Sequence, residues 1–162
     1  LISRRFNIDY FNFGFSGNAL GEKTMADYIA ALPMSLFFLD FDHNSPNAEH
    51  LKAHHESFFL NIREKNPDLP VIMATKTDIP RSPAAEKSNA AHRAVVYETY
   101  ENAVKRGDRN VIFIDGATVF SKALTLSAPA DSCTVDGCHP NDLGFACMAK
   151  VFGDAIKKMI GL

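Results

Sequence analysis

The feature that most constrains this chain is the alternation of short apolar runs with stretches of helical spacing along its 162 residues. Four runs rich in β-branched and aromatic residues are nearly continuous in apolar side chains: Asp9 to Phe15, Leu36 to Phe41, Val71 to Thr75 and Val111 to Asp115. Runs of this kind are expected of strands buried on both faces, since a strand with one wet face alternates instead. Between them, Glu22 to Leu32 gathers Met25, Tyr28, Ile29 and Leu32 on one side of a helix. Ala48 to Lys65 does the same for Leu51, Phe58, Phe59 and Ile62. Ser82 to Arg106 has Pro83 in its first turn, where a missing N–H costs nothing, and Gly107 as its stop. In the last helix Asn141 is the cap, and Leu143, Met148, Val151, Phe152, Ala155 and Met159 recur at three-and-four spacing. Strand and helix therefore alternate four times, which predicts an α/β fold with a parallel sheet between helices. Leu1, Ile2 and Phe6 read as the tail of a helix running into the first strand, so at least one βα unit is expected ahead of Leu1.

No repeat, low-complexity tract or linker interrupts the pattern, and residues 1–162 read as one domain, N-terminally truncated. The formal charge of -2, with no basic stripe, argues against nucleic-acid binding. No apolar run reaches the roughly 18 to 20 residues that span a bilayer. The glycines show neither GxGxxG nor P-loop spacing, so nucleotide binding has no support. Cys133, Cys138 and Cys147 make an odd count without a CxxC pair, which argues against a zinc site. Cys133 and Cys138 are near enough in sequence to close a small disulfide loop, and free buried thiols fit equally well. The chain opens on Leu1 without a leader, so its compartment is not legible from these residues.

In an open α/β sheet the ligand crevice lies at the carboxyl ends of the strands. The loops there read Phe15-Ser16-Gly17-Asn18, then Asp42-His43-Asn44-Ser45, then a segment from Lys76, and last Asp136-Gly137-Cys138-His139-Pro140. An Asp three residues before a His can fix the imidazole tautomer and leave the ring free to take a proton. Asp, Pro and Asn are also turn formers, and the same run reads equally as a turn leading into a helix.

Three of these blocks together resemble the signature of the SGNH (GDSL-like) hydrolases. Asn12-Phe13-Gly14-Phe15-Ser16-Gly17-Asn18 resembles the family's second block, Leu39-Asp40-Phe41-Asp42-His43-Asn44 its third, and Asp136-Gly137-Cys138-His139-Pro140 its last. The resemblance spans essentially the whole chain. It implies a flavodoxin-like three-layer α/β/α sandwich, with His139 as general base and Asp136 as its orienting partner. It also implies oxyanion-hole donors from the Gly17 backbone and the Asn44 amide. The implied function is a serine esterase or acylhydrolase acting on small acyl esters, with acetyl groups on carbohydrates a frequent substrate class, and without metal or organic cofactor. The absence of an extended apolar lid argues against long-chain lipids. A secreted or periplasmic location is the one towards which the resemblance leans.

Two departures stand out. The family's third block is usually Gly-x-Asn-Asp, where this chain has Asp42-His43-Asn44-Ser45. Its first block, Gly-Asp-Ser, which ends the first strand and carries the nucleophile, does not occur here. The alternative expectation is therefore an inactive fragment or accessory domain. In the family's strand order the first strand lies between the next two, so the exposed edge would favour self-association or pairing with an upstream segment.

Other candidates are weaker. Ser16 fails the Gly-x-Ser-x-Gly elbow at Asn18 and reads as a loop residue, and Ser45 has no motif support. His50, His54 and His55 fail His-Glu-x-x-His at Phe59 and read as a solvated helix face. His92 reads as surface, whereas His43 could touch substrate or pack under its loop. Lys76, Asp78 and Arg81 could bind an acidic or sugar substrate or be ordinary loop polarity.

Overall fold

The computed structural model describes residues 1–124 and 129–162. Three short strands, β1 (Phe37–Leu39), β2 (Val71–Ala74) and β3 (Val111–Ile114), form a parallel sheet in the order β1-β2-β3. The register pairs Phe37 with Val71 and Val71 with Val111. The helices are α1 (Ile2–Phe6), α2 (Lys23–Ala30), α3 (Ala48–Lys65), α4 (Pro83–Lys105), α5 (Val119–Ala123) and α6 (Asp142–Ile160). The helix boundaries follow local chemistry. Asn47, Ser82 and Asn141 each accept a backbone N–H of the first turn through their side chains, which satisfies a donor the helix itself cannot. Pro83 opens α4, and Gly107, at φ +88°, takes the left-handed conformation just beyond its end.

The strands send alternate side chains to two cores. Leu39, Val71 and Met73 meet Ala26 and Ile29 of α2, Leu51, Phe58, Phe59 and Ile62 of α3, and Val96 of α4. Phe38, Ala74 and Ile114 turn the other way, towards Val119 and Phe120 of α5 and Cys147 and Phe152 of α6. Helices thus cover both faces of the sheet, giving an α/β/α arrangement. All four residues of β2 are buried, as the continuous apolar run requires of a central strand. Removing one of these side chains, as in Ile62→Ala, is expected to cost about 2–5 kcal/mol.

The expected strand at Asp9 to Phe15 does not form; this stretch has no assigned secondary structure, and Tyr10 and Phe11 are exposed. Its backbone is nonetheless drawn out. Phe11, Phe13 and Phe15 follow one another with ring centroids 6.2 Å apart, the first pair stacked and the second tilted, close to the roughly 6.6 Å that two residues of a strand span. A strand also needs a partner within about 4.8 Å to close its ladder. Here Ile8 to Phe15 and the outer edge of β1 line one cleft of about 2070 Å³. The run has the composition of a strand without a neighbour to pair with.

Candidate active site

The site begins with a loop that closes on itself. Thr134 bridges Pro140, the Val135 N–H donates to the His139 carbonyl at 3.0 Å, and the Gly137 N–H donates to Thr134 Oγ1 at 3.0 Å. At its turn Gly137 adopts φ +90°, so the backbone demands glycine, and the exposed Arg81 side chain lies over it where a Cβ would displace its Nε, 2.5 Å away. Asp136 uses both carboxylate oxygens. Oδ1 accepts the backbone N–H groups of Cys138 at 2.8 Å and His139 at 2.7 Å, while Oδ2 takes the His139 Nδ1 at 2.6 Å. The His139 backbone N–H, then its imidazole, then the Cys138 N–H hold the Asp136 carboxyl well below the usual carboxylate range. His139 Nδ1 therefore carries the hydrogen, and Nε2 is left as the acceptor. That ring is 73% exposed, and among the described residues Nε2 has no hydrogen-bond partner. An oriented imidazole with an open basic nitrogen is what general-base chemistry requires.

Asn44 ends a single 3₁₀ turn, Asp42–Asn44, directly after β1. Its N–H donates to the Phe41 carbonyl at 3.1 Å, it lines the large cleft, and no hydrogen bond occupies its side-chain amide among the described residues. The turn is anchored from below by Asp42, which is buried and accepts the Lys76 N–H at 3.2 Å. Burial pushes the Asp42 carboxyl above its usual range, against the pull of that N–H. His43 leaves the same turn towards the 134–140 loop and comes within 3.3 Å of Cys138 Sγ through Nε2. Burial, and then the Lys76 ammonium, lower the His43 pKa below its ordinary value, so the ring favours its neutral form.

The structure thus brings Asp136 to His139, and the Asn44 turn to their loop by way of His43 and Cys138. Gly17 is not joined to them. It sits in an exposed turn at φ +86° behind Ser16 at φ +50°, where Asn18 donates to the Phe15 carbonyl, and a Cβ on it would find nothing within 4 Å. Ser16 is in that exposed turn, and Ser45 is buried with no partner for its hydroxyl.

The expectations for His55 and His92 need correction, and the structure settles the contacts of the 76–81 segment and of the cysteines, which the sequence left open. Lys76 and Asp78 pair with each other at 2.8 Å, and Asp78 also accepts from Asn89 of α4. The Ile79 N–H reaches the Gly137 carbonyl at 2.8 Å, so the 76–81 segment props the 134–140 loop. His55 is fully buried against Thr99 at 2.9 Å, not on a solvated face, because α3 turns it towards α4. His92 is half-buried, with one ring nitrogen 3.2 Å from the Ser45 carbonyl. No disulfide joins Cys133 to Cys138: Cys133 lies buried beside Cys147, with 4.0 Å between the sulfurs, and Cys138 faces His43. The roles of Cys138 and His92 carried no signal in the sequence, since their partners lie tens of residues away.

The profile of the GDSL-like Lipase/Acylhydrolase family matches residues 1–157. A solved structure described as a GDSL-like lipase from Bacteroides ovatus ATCC 8483 superimposes with a TM-score of 0.74 at 27% identity, over 90% of this chain and 42% of its own. The salicylyl-acyltransferase SsfX3 of a tetracycline biosynthetic pathway superimposes with a TM-score of 0.72 at 20% identity, over 99% of this chain and 47% of its own. The chain therefore spans less than half the length of either structure. No curated protein matches it. The chain belongs to the GDSL-like lipase/acylhydrolase family and has that family's α/β fold.

Proposed function

We propose that this member of the family contributes the base, the orienting acid and part of the oxyanion hole of a serine acyl-ester hydrolase. The observation that carries the reading is the 2.6 Å contact of Asp136 Oδ2 with His139 Nδ1, made while Oδ1 holds the loop backbone. The carboxylate fixes the tautomer, and Nε2 accepts a proton. A serine hydroxyl attacks the acyl carbon as its proton passes to His139 Nε2, and the carbonyl π electrons move onto oxygen. The Asn44 amide donates to that oxyanion, and the Gly17 N–H, the second donor of this reading, would have to be brought to it from its exposed turn. Collapse expels the alcohol, which takes the proton from His139. Water then attacks the acyl-enzyme with His139 again as base, releasing the acid and the free serine.

No serine among the described residues hydrogen-bonds to His139, and the reading assigns the nucleophile to a strand that fills the cleft between Ile8–Phe15 and β1. Such a strand would pair with β1 and give Asp9–Phe15 the neighbour it lacks. The cleft's continuity with Asn44 supports that placement. Substrates of this reading are small acyl esters, with acylated carbohydrates the class to test first.

A fluorophosphonate probe tests it. The chain and a version extended upstream are treated, and intact mass is measured. The extended form is expected to gain one adduct, which His139→Ala abolishes, and the short form none. A folded extended form that does not label would overturn the esterase reading and leave an accessory role.

A further inference from the structure

Cys138 stands at the centre of a second set of contacts that the hydrolytic reading does not use. Its sulfur lies 3.3 Å from His43 Nε2. Ligand atoms of Asp136, Cys138 and His139 also lie within 4.8 Å of one another. The Cys138 thiol is therefore shared between two sets of neighbours, the His43 imidazole on one loop and the Asp136–His139 pair on its own, with His43 outside the 4.8 Å group.

Zinc bound at about 2.3 Å to sulfur and 2.0–2.1 Å to nitrogen in a tetrahedron separates such ligand atoms by roughly 3.3–3.8 Å. The Cys138–His43 distance is already at the short end of that range. Asp136 and His139 can close on Cys138 by movement of exposed side chains, since His139 is 73% and Asp136 49% exposed. His43, which lies outside the 4.8 Å group, must close on His139 through the Cys138 side as well. Both loops have fixed footings: Asp42 accepts the Lys76 N–H, and the Gly137 carbonyl accepts the Ile79 N–H. The nearby Lys76 ammonium is paired with Asp78 at 2.8 Å, which offsets its repulsion of a cation. Thiolate and imidazole together select a borderline-soft ion over magnesium or calcium.

We infer that Cys138, His43 and His139, with Asp136 at the margin, form a site for Zn²⁺ at the mouth of the proposed catalytic centre. Zinc there coordinates the imidazole that would take the serine proton, so the ion opposes hydrolysis. Only that inhibitory consequence rests on the esterase reading; the binding itself does not.

Zn²⁺ titration by calorimetry, with Co²⁺ as a spectroscopic substitute, tests the site on the chain as it stands. Wild type is expected to bind one ion and to show a thiolate-to-cobalt charge-transfer band. Cys138→Ser should abolish the band, and His43→Ala should weaken Zn²⁺ binding by at least about tenfold. The stacked pair His50 and His54, 4.2 Å apart on α3, is the rival zinc site, and His54→Ala should leave the binding unchanged. Circular dichroism confirms that each variant is folded. Affinity unchanged in folded Cys138→Ser, or lost in His54→Ala, would overturn the proposal. On the extended form, Zn²⁺ should slow fluorophosphonate labelling in wild type and not in Cys138→Ser. Metal binding without an effect on labelling would remove the inhibitory consequence alone, and no labelling at all would count against the esterase and not against the site.

Discussion

Asp136 grips His139 at two points, accepting its backbone N–H on Oδ1 at 2.7 Å and its ring Nδ1 on Oδ2 at 2.6 Å. One carboxylate thus sets both where the residue lies and which nitrogen of its ring stays basic. Asp136→Asn keeps an acceptor for the backbone but turns an amide N–H towards Nδ1 and favours the wrong tautomer. In a form of the protein that carries the nucleophile, ester turnover is expected to fall on the order of 10⁴-fold with the fold intact. Steady-state kinetics of the purified variant checks this. A loss of less than tenfold would remove Asp136 from the mechanism.

Gly137 supports that grip from the backbone. At φ +90° alanine meets backbone strain, and it must also push aside the exposed Arg81 side chain, which is the smaller cost. Gly137→Ala is expected to lower stability by about 1–3 kcal/mol. Adding Arg81→Ala should recover the steric share but not the share due to φ. Urea denaturation of both variants measures the two parts, and an unchanged midpoint in Gly137→Ala would refute the account.

These two residues also show what was legible in the sequence. The Asp136–His139 geometry is local: an Asp side chain bonding the backbone two and three residues on is a turn that the order Asp-Gly-Cys-His encodes by itself. The Asn141 cap was legible for the same reason, as were the helix starts near Ala48 and Ser82 and the positions of β1 to β3, of which only β2 is buried throughout. What failed was non-local. Asp9 to Phe15 has the residues of a strand, but pairing depends on a neighbour that composition does not specify. His55 looked solvated beside His50 and His54, and its burial is decided by α4, whose Thr99 lies 44 residues on. The meeting of His43 with Cys138 spans 95 residues and left no spacing to find.

The three thiols should differ sharply in reactivity. Cys133 and Cys147 are buried, and burial, then the neighbouring Cys147, pushes the Cys133 thiol up to about 11. Thiolate, the reactive form, is therefore scarce there at neutral pH, and reagent cannot reach it. Cys138 is partly accessible beside His43. An aromatic disulfide reagent should titrate one thiol rapidly in the native protein and all three in denaturant. Cys138→Ser should abolish the rapid phase. A rapid phase that survives the substitution would place the accessible thiol elsewhere.

His55 predicts how stability responds to acid. Thr99 Oγ1 donates to the Val95 carbonyl at 3.3 Å, so its lone pairs take the His55 Nδ1–H at 2.9 Å. Nε2 is then the unprotonated nitrogen, buried with no partner in place to accept a second proton. Burial accordingly lowers the pKa from 6.5 to about 4. Between those values the unfolded chain binds a proton at this residue and the folded chain does not. The contribution is complete above the unfolded value, erodes as pH falls from 6.5 towards 4, and levels off below. The loss amounts to roughly 3 kcal/mol across that window. Urea midpoints measured from pH 7 to pH 4 in wild type and in His55→Gln, which keeps an amide for Thr99 but cannot titrate, isolate this share. The variant should be less stable at pH 7 and show a shallower decline with acid, whereas parallel declines would assign the acid sensitivity to other groups.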